Sequence, residues 1–401
     1  MRYATSVGLA AAWGIAGLLP QPVTAAEDIL LKTRIDPVDV QLFVPKESRP
    51  VQGLLVHVFN YKMKPHDRWA TLCRQMKWAH INTVISRKAN NRPKKIRHAI
   101  NESLKQFAEK LNMPQLVHVP RAGTGFSAGG MVIPVLAAEP QKMLTNAISC
   151  SWVSDPAKLG ETASIPEMYI IGALPDGFNM LPAIEKFYEP AIAAKRPWGL
   201  GLQHGCKHDW ANSGTLLAPW IVAIAKMRYP DKIDPTQPIR LRPVKFEEGW
   251  RGDRTTIHGT FATVAPAAEF KGDVRSTVWL PDRATACIWR AWQTKKSPVH
   301  LSAEASDGSV KLPPFSPKKG LTLMVKPGVD VKLGVRINGG VAIGPVSFYH
   351  GDTLIGKTDD PARPVVFKSQ PVGIYAVWAR HALDGKPAVT NPALICFEPG
   401  G

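Results

Sequence analysis

The chain has 401 residues, 45% of them hydrophobic and 20% charged, with a formal net charge of +18. This balance excludes a disordered or low-complexity chain, and the length points to two or three domains with sizeable cores. Five cysteines are too few for a disulfide-held scaffold, and they include no C-x-x-C pair and no Cys/His cluster with zinc-ligand spacing.

The N-terminus reads as a signal peptide over residues 1–26. Arg2 gives the positive start, residues 4–19 are apolar but too short to favour a bilayer span, and Val23-Thr24-Ala25 supplies small residues for cleavage. Thr24-Ala25-Ala26 is an equally good cleavage reading. No later stretch is long and apolar enough to span, so a secreted or periplasmic protein is expected, with no membrane span in the mature chain. Loss of Arg2 leaves +17, which in an exported protein points to anionic surfaces or polymers ahead of nucleic acid. Lys88, Arg92, Lys94, Lys95 and Arg97 form the densest basic run and read as a solvated loop and helix start.

Residues 38–230 alternate strand-like and helix-like segments. Apolar strands are predicted at 40–44, 53–59, 81–86, 120–126, 147–153, 168–173 and 199–202. Helices are predicted at 96–111, from 131 to Pro140, and at 216–227. Apolar strands between helices imply a mostly parallel sheet covered on both faces. After Pro230 helical periodicity is lost. Strands are predicted at 255–263, 276–280, 321–326, 331–337, 346–349, 365–368 and 373–379, giving an all-β region. Trp250, Trp279, Trp289 and Trp292 precede the last of these strands and read as packing between domains.

The chemistry centres on Gly125-Phe126-Ser127-Ala128-Gly129-Gly130. A serine in G-x-S-x-G between a strand and a helix occupies a tight turn that presents Oγ at the carboxyl edge of the sheet. Such a serine needs a histidine base, and the base needs a carboxylate. Asp176 and then His208 follow in chain order, each just past a predicted strand, so the three converge on one sheet edge. Asp155 is the rival acid and His204 the rival base. The oxyanion hole would use the N–H of Ala128 and a second donor from the loop after strand 53–59, either the N–H of Asn60 or Tyr61 or the Tyr61 hydroxyl. No cofactor or metal is called for.

Residues 38–230 resemble α/β-hydrolases, and the Gly-x-Ser-Ala-Gly-Gly turn looks like that of secreted polyhydroxybutyrate-depolymerase-like and feruloyl or acetyl-xylan esterases. By that resemblance Ser127, Asp176 and His208 would form the triad. The sequence His57-Val58-Phe59-Asn60-Tyr61 departs from the glycine-rich oxyanion loop of many lipases and esterases. The tail, with Val346-Ser347-Phe348-Tyr349-His350-Gly351-Asp352 and Val372-Gly373-Ile374-Tyr375-Ala376-Val377-Trp378-Ala379, resembles bacterial Ig-like domains. That resemblance implies a β-sandwich used for spacing or polymer contact.

The resulting expectation is a signal peptide (1–26), an α/β-hydrolase catalytic domain (27–235), a β-rich connecting region (236–315) and an Ig-like sandwich (316–401). The expected activity is cleavage of carboxylic esters, including esters on an anionic or insoluble polymer. A serine peptidase or acyltransferase would use the same residues. A surface-binding protein on a hydrolase-like scaffold is the non-catalytic alternative.

Overall fold

The computed structural model describes residues 27–399 except 59–62, 85–92, 137–138, 152, 154, 156, 158–159, 161–163, 175–181, 183, 235–236 and 294–296. The expected signal peptide lies outside the described residues. Among those described, no helix is long and apolar enough to cross a membrane.

The first strands, β1 (Ile29–Ile35) and β2 (Val38–Val44), form an antiparallel hairpin at one edge of an eight-stranded sheet. The sheet continues through β3 (Gly53–Val58), β4 (Trp78–Val84), β5 (Arg121–Phe126), β6 (Met143–Ser149), β7 (Glu167–Gly172) and β8 (Trp198–Gln203). Its order is β1-β2-β4-β3-β5-β6-β7-β8, and every pair from β4 to β8 is parallel. Parallel strands covered on both faces must be apolar throughout. In β3 all six residues are buried. The direction of winding reverses at β3, which has β4 on one side and β5 on the other, so the carboxyl ends of β3 and β5 mark the switch point of the sheet, where open α/β sheets bind their ligands.

Helix α1 (Arg68–Met76) starts where the Asp67 carboxylate accepts from the N–H groups of Trp69 and Ala70, at 2.8 and 2.9 Å. It packs with α4 (Gly214–Arg228), while α2 (Pro93–Leu111) packs with α3 (Ala128–Leu136). The face expected from the helical spacing of Ile100, Leu104, Phe107, Ala108 and Leu111 is buried in α2, together with Ile96, Ala99 and Ser103.

The region after Pro230 departs from the all-β expectation. Residues 254–256 form a single 3-10 turn capped by Asp253, where a strand was predicted. Helix α5 (Arg283–Gln293) follows the short sheet β10-β9-β11, formed by β9 (Trp250–Asp253), β10 (Val264–Pro266) and β11 (Thr277–Leu280). The Asp282 carboxylate accepts from Thr285 N–H at 2.7 Å, a helix-start signal that the surrounding Trp, Ile and Thr residues obscured.

This region closes the large sheet. Gln293 gives Leu202 the pairing that a neighbouring strand would: its Oε1 accepts from Leu202 N–H at 2.8 Å and its Nε2 donates to Leu202 O at 2.9 Å. Trp289 Nε1 donates to Leu200 O at 2.8 Å, and Trp279 meets Trp220 of α4 edge-on at 5.7 Å. Trp279, Trp289 and Trp292 share one hydrophobic core with β3–β8. The expected boundary at 235 therefore does not coincide with an edge of that core, and residues 246–293 complete the core rather than connect two bodies.

The remaining strands form two sheets around a second core. One contains β12 (Val299–Ala305), β14 (Val331–Ile337) and β17 (Val365–Phe367). The other contains β13 (Thr322–Val325), β20 (Ala393–Phe397), β18 (Gly373–Leu383), β15 (Val346–His350) and β16 (Thr353–Thr358) in that order, with β19 (Lys386–Val389) on β18. Leu301, Leu333, Phe348, Ile395 and Phe397 fill the space between them. Strand β12 belongs to this sandwich, which thus begins before the expected residue 316. The opposite face of the larger sheet, with Ile374, Ala376, Leu394 and Cys396, joins the first core and packs on α1.

An ion-pair network crosses this junction. Arg74 of α1 donates from Nε to Glu398 at 2.8 Å and from Nη2 to Asp28 at 2.6 Å, and Thr71 Oγ1 donates to the second oxygen of Glu398 at 2.8 Å. Glu398 is fully buried. Burial works against the Arg74 charge, but the hydrogen bonds to Asp28 and Glu398 and their charges hold its pKa above the usual value.

A second buried carboxylate has no cation bonded to it among the described residues. Glu167, at the start of β7, accepts from Asn146 Nδ2 at 2.7 Å and from the Tyr169 hydroxyl. Burial outweighs these hydrogen bonds and raises its pKa to about 7 from 4.5. The folded state thus holds this proton more tightly than the unfolded chain. The stability gained from it is complete below pH 4.5 and is lost as pH rises through 7. At about 1.4 kcal/mol per pH unit the loss is worth about 3 kcal/mol. Glu167→Gln should flatten this part of the stability profile and melt higher than wild type at pH 8. Parallel Tm-against-pH curves for the two proteins would refute the assignment.

Candidate active site

Ser127 stands between β5 and α3 with a φ of 53°, a left-handed conformation that costs a non-glycine residue energy. The turn is held by Ser127 N–H donating to Ser149 O at 3.0 Å and by Met131 N–H donating to Ser127 O at 3.3 Å. Strand and helix approach so closely that a Cβ on Gly125 would lie 2.8 Å from the Gly129 carbonyl carbon. Ala128 is the first residue of α3, where backbone N–H groups have no partner within the helix and can face an anion.

His208 comes from the loop between β8 and α4. Its Nε2 lies 2.8 Å from Ser127 Oγ, and its ring lies 5.0 Å from that of Phe126. The loop is fixed to the end of β7: Ala173 N–H donates to Gln203 O at 3.1 Å and Leu174 N–H to Cys206 O at 2.9 Å. Gly172 has no room for a side chain, because a Cβ there would sit 1.9 Å from Lys207 O. On the other side the Cys150 thiol donates to Asp209 O at 3.1 Å. Burial raises the pKa of that thiol, which keeps it a neutral donor.

The rivals have other contacts. His204 Nε2 is 3.3 Å from Gln293 Nε2, and its ring lies 6.3 Å from that of His258. Asp155 accepts from Ala157 N–H at 3.0 Å, as a turn residue does. Asp209, next to His208, caps Ala211 N–H at 3.3 Å. Asp176, Asn60 and Tyr61 lie outside the described residues. His57, at the end of β3, is buried against Trp69 and Trp210. Burial above all, with His80 and Arg68 adding to it, holds its pKa well below the usual histidine value.

All five cysteines are free thiols. Among the described residues no group of three His, Cys, Asp or Glu side chains could hold a metal ion. Two exposed apolar side chains come from segments that form the site: Met131, four residues after Ser127, and Leu174, beside the His208 loop. Sequence reasoning did not single out either of these, nor Cys150 and Gly172. Their roles arise from contacts between loops that no local pattern encodes.

No protein-family model matches this chain, and no curated protein matches it. Solved structures resemble parts of it. Est1E from Butyrivibrio proteoclasticus is 12% identical over 48% of this chain and 95% of its own, at a TM-score of 0.33. The siderophore hydrolase EstA from Aspergillus nidulans is 10% identical over 54% and 99%, at 0.36. The fibronectin(III)-like modules of Clostridium thermocellum CbhA are 18% identical over 24% and 96%, at 0.19. TM-scores this low carry no argument about fold or activity.

Proposed function

We propose that this chain is a serine hydrolase of the α/β-hydrolase type that cleaves carboxylic esters through an acyl-enzyme. The observation that carries the reading is His208 Nε2 at 2.8 Å from Ser127 Oγ, with Ser127 on a left-handed turn at the carboxyl edge of a parallel sheet. In this reading His208 removes the Oγ proton as Oγ attacks the ester carbonyl carbon. The Ala128 N–H, with a donor from Asn60 or Tyr61, stabilises the resulting oxyanion. Collapse breaks the bond to the alkoxy oxygen, which leaves with the proton from His208. Water then attacks the acyl-Ser127, gives its proton to His208, and releases the acid as Oγ is reprotonated. Asp176 is assigned as the carboxylate that orients His208.

The exposed Met131 and Leu174 favour an acyl group with an apolar portion over a small polar one. The N-terminal pattern supports export to the periplasm or beyond. The C-terminal sandwich is assigned as an Ig-like module, and the high positive charge suits an anionic polymer carrying the ester. A fluorophosphonate probe should label Ser127, and a panel of p-nitrophenyl esters of increasing acyl length should be turned over. Absence of labelling together with absence of ester hydrolysis would sink the enzyme reading. Turnover of peptides but not esters would move it to the peptidase alternative.

A further inference from the structure

The His208 loop is held on two sides. Its inner side rests on β7 and Cys150, within the hydrolase-like sheet. Its outer side rests on residues 317–321, the segment of the sandwich that runs into β13. The Cys206 thiol donates to Pro317 O at 2.5 Å. Gly205 packs on the same residue, since a Cβ there would lie 3.0 Å from Pro317 Cβ. Beyond His208, the Leu321 N–H donates to Asn212 Oδ1 at 3.0 Å. Leu321 is anchored in turn, because its carbonyl accepts from Leu394 N–H at 2.9 Å and its side chain is in the sandwich core. Residues on both flanks of His208 are therefore bonded to one short segment of the second domain.

Asn212 is the pivot of this arrangement. It is buried; its Oδ1 also accepts from the Thr215 hydroxyl and its carbonyl accepts from Trp292 Nε1 at 3.2 Å. The neighbouring Ser213 hydroxyl bonds Ser149 and Gln203, so the loop and the turn that carries Ser127 share one buried polar network. Loops move unless their backbone is fixed, and a catalytic group displaced by about 1 Å loses about 100-fold in rate.

We infer that the sandwich is a working part of the catalytic centre: residues 317–321 hold the His208 loop in register with Ser127, and Asn212 is the positioning residue through which they act. The inference rests on the assignment of Ser127 and His208 as nucleophile and base. A purely structural Asn212 would affect melting alone, whereas a positioning one affects chemistry at temperatures where the variant is fully folded.

The test compares Asn212→Ala, which removes the acceptor, with Asn212→Asp, which keeps it, in the full chain. The measurements are Tm, kcat and KM on a neutral p-nitrophenyl ester, and the rate of fluorophosphonate labelling. Asn212→Ala should lower kcat and the labelling rate about 10–100-fold at unchanged KM, measured well below its Tm, and Asn212→Asp should recover most of the loss. Cys206→Ala beside Cys206→Ser gives a second pair, with a smaller loss expected for the alanine and partial rescue by the hydroxyl; it decides the matter if Asn212→Ala does not fold. A lowered Tm with wild-type kcat and labelling in the alanine variants overturns the inference. A wild-type protein that neither labels nor turns over esters overturns the hydrolase reading and this inference with it, whereas a labelled wild type with unaffected variants overturns this inference alone.

Discussion

A chain carrying Ser127→Ala is expected to keep its fold and lose turnover, with kcat falling roughly 10⁴–10⁶-fold. The fold should survive because the turn at Ser127 is held by backbone bonds to Ser149 and Met131 and by the close approach at Gly125, none of which uses Oγ. Turnover should be lost because Oγ is the atom His208 faces at 2.8 Å. His208→Ala should fall nearly as far. The double variant should be little worse than either single one, since nucleophile and base act as a unit. His204→Ala should cost about 10-fold or less, because His204 faces Gln293 rather than Ser127. Steady-state kcat for the four variants on one ester checks all of this. A reversed ranking of the two histidines would transfer the base role.

The second large effect concerns the domain boundary read from the sequence. A chain ended after Pro230 is expected not to fold. Trp279, Trp289 and Trp292 are buried in the same core as β3–β8. Each buried indole removes about 150–250 Å² from water, about 4–6 kcal/mol at ~25 cal/mol/Å². Their combined loss is comparable with or greater than the whole net stability of a typical domain, about 5–15 kcal/mol. The truncation would also strip the pairing that Gln293 and Trp289 give to β8 and leave an open, apolar sheet edge. Near-ultraviolet circular dichroism and a melting curve would decide. A soluble fragment of residues 27–230 that melts cooperatively and hydrolyses esters would show that the second half of the core is dispensable.

The parallel strands were legible because burial on both faces leaves a continuous apolar run, as in β3, and α2 was legible because its buried residues recur at helical spacing. Strand β1 was missed because only one of its seven residues is fully buried, which leaves Leu30, Lys32 and Arg34 to blur the signal. Helix α1 was missed because its start depends on the Asp67 cap rather than on a long amphipathic pattern. Helix α5 was missed for a different reason: its Trp, Ile and Thr residues favour strands, and tertiary packing against β8 decided otherwise. Within the candidate site, the approach of His208 to Ser127 was legible because a turn motif fixes the serine and chain order points to the histidine. The supports of His208 were not. The bond from Cys206 to Pro317 joins residues 111 positions apart, and no spacing rule reaches that far.

The Arg74–Glu398 bond spans 324 positions, and the same guanidinium holds Asp28. Helix α1 and the first strands therefore receive their last electrostatic partner from the residue that follows β20. Long-range closure of this kind comes late in folding, after the entropy of a very large loop has been overcome. A chain released residue by residue from a ribosome or a translocation pore would carry Arg74 without its most deeply buried counter-charge until β20 and Glu398 had emerged. Docking of helix α1 is thus completed only when Glu398 arrives, and a chain interrupted before it would leave a loosely held first helix open to proteases.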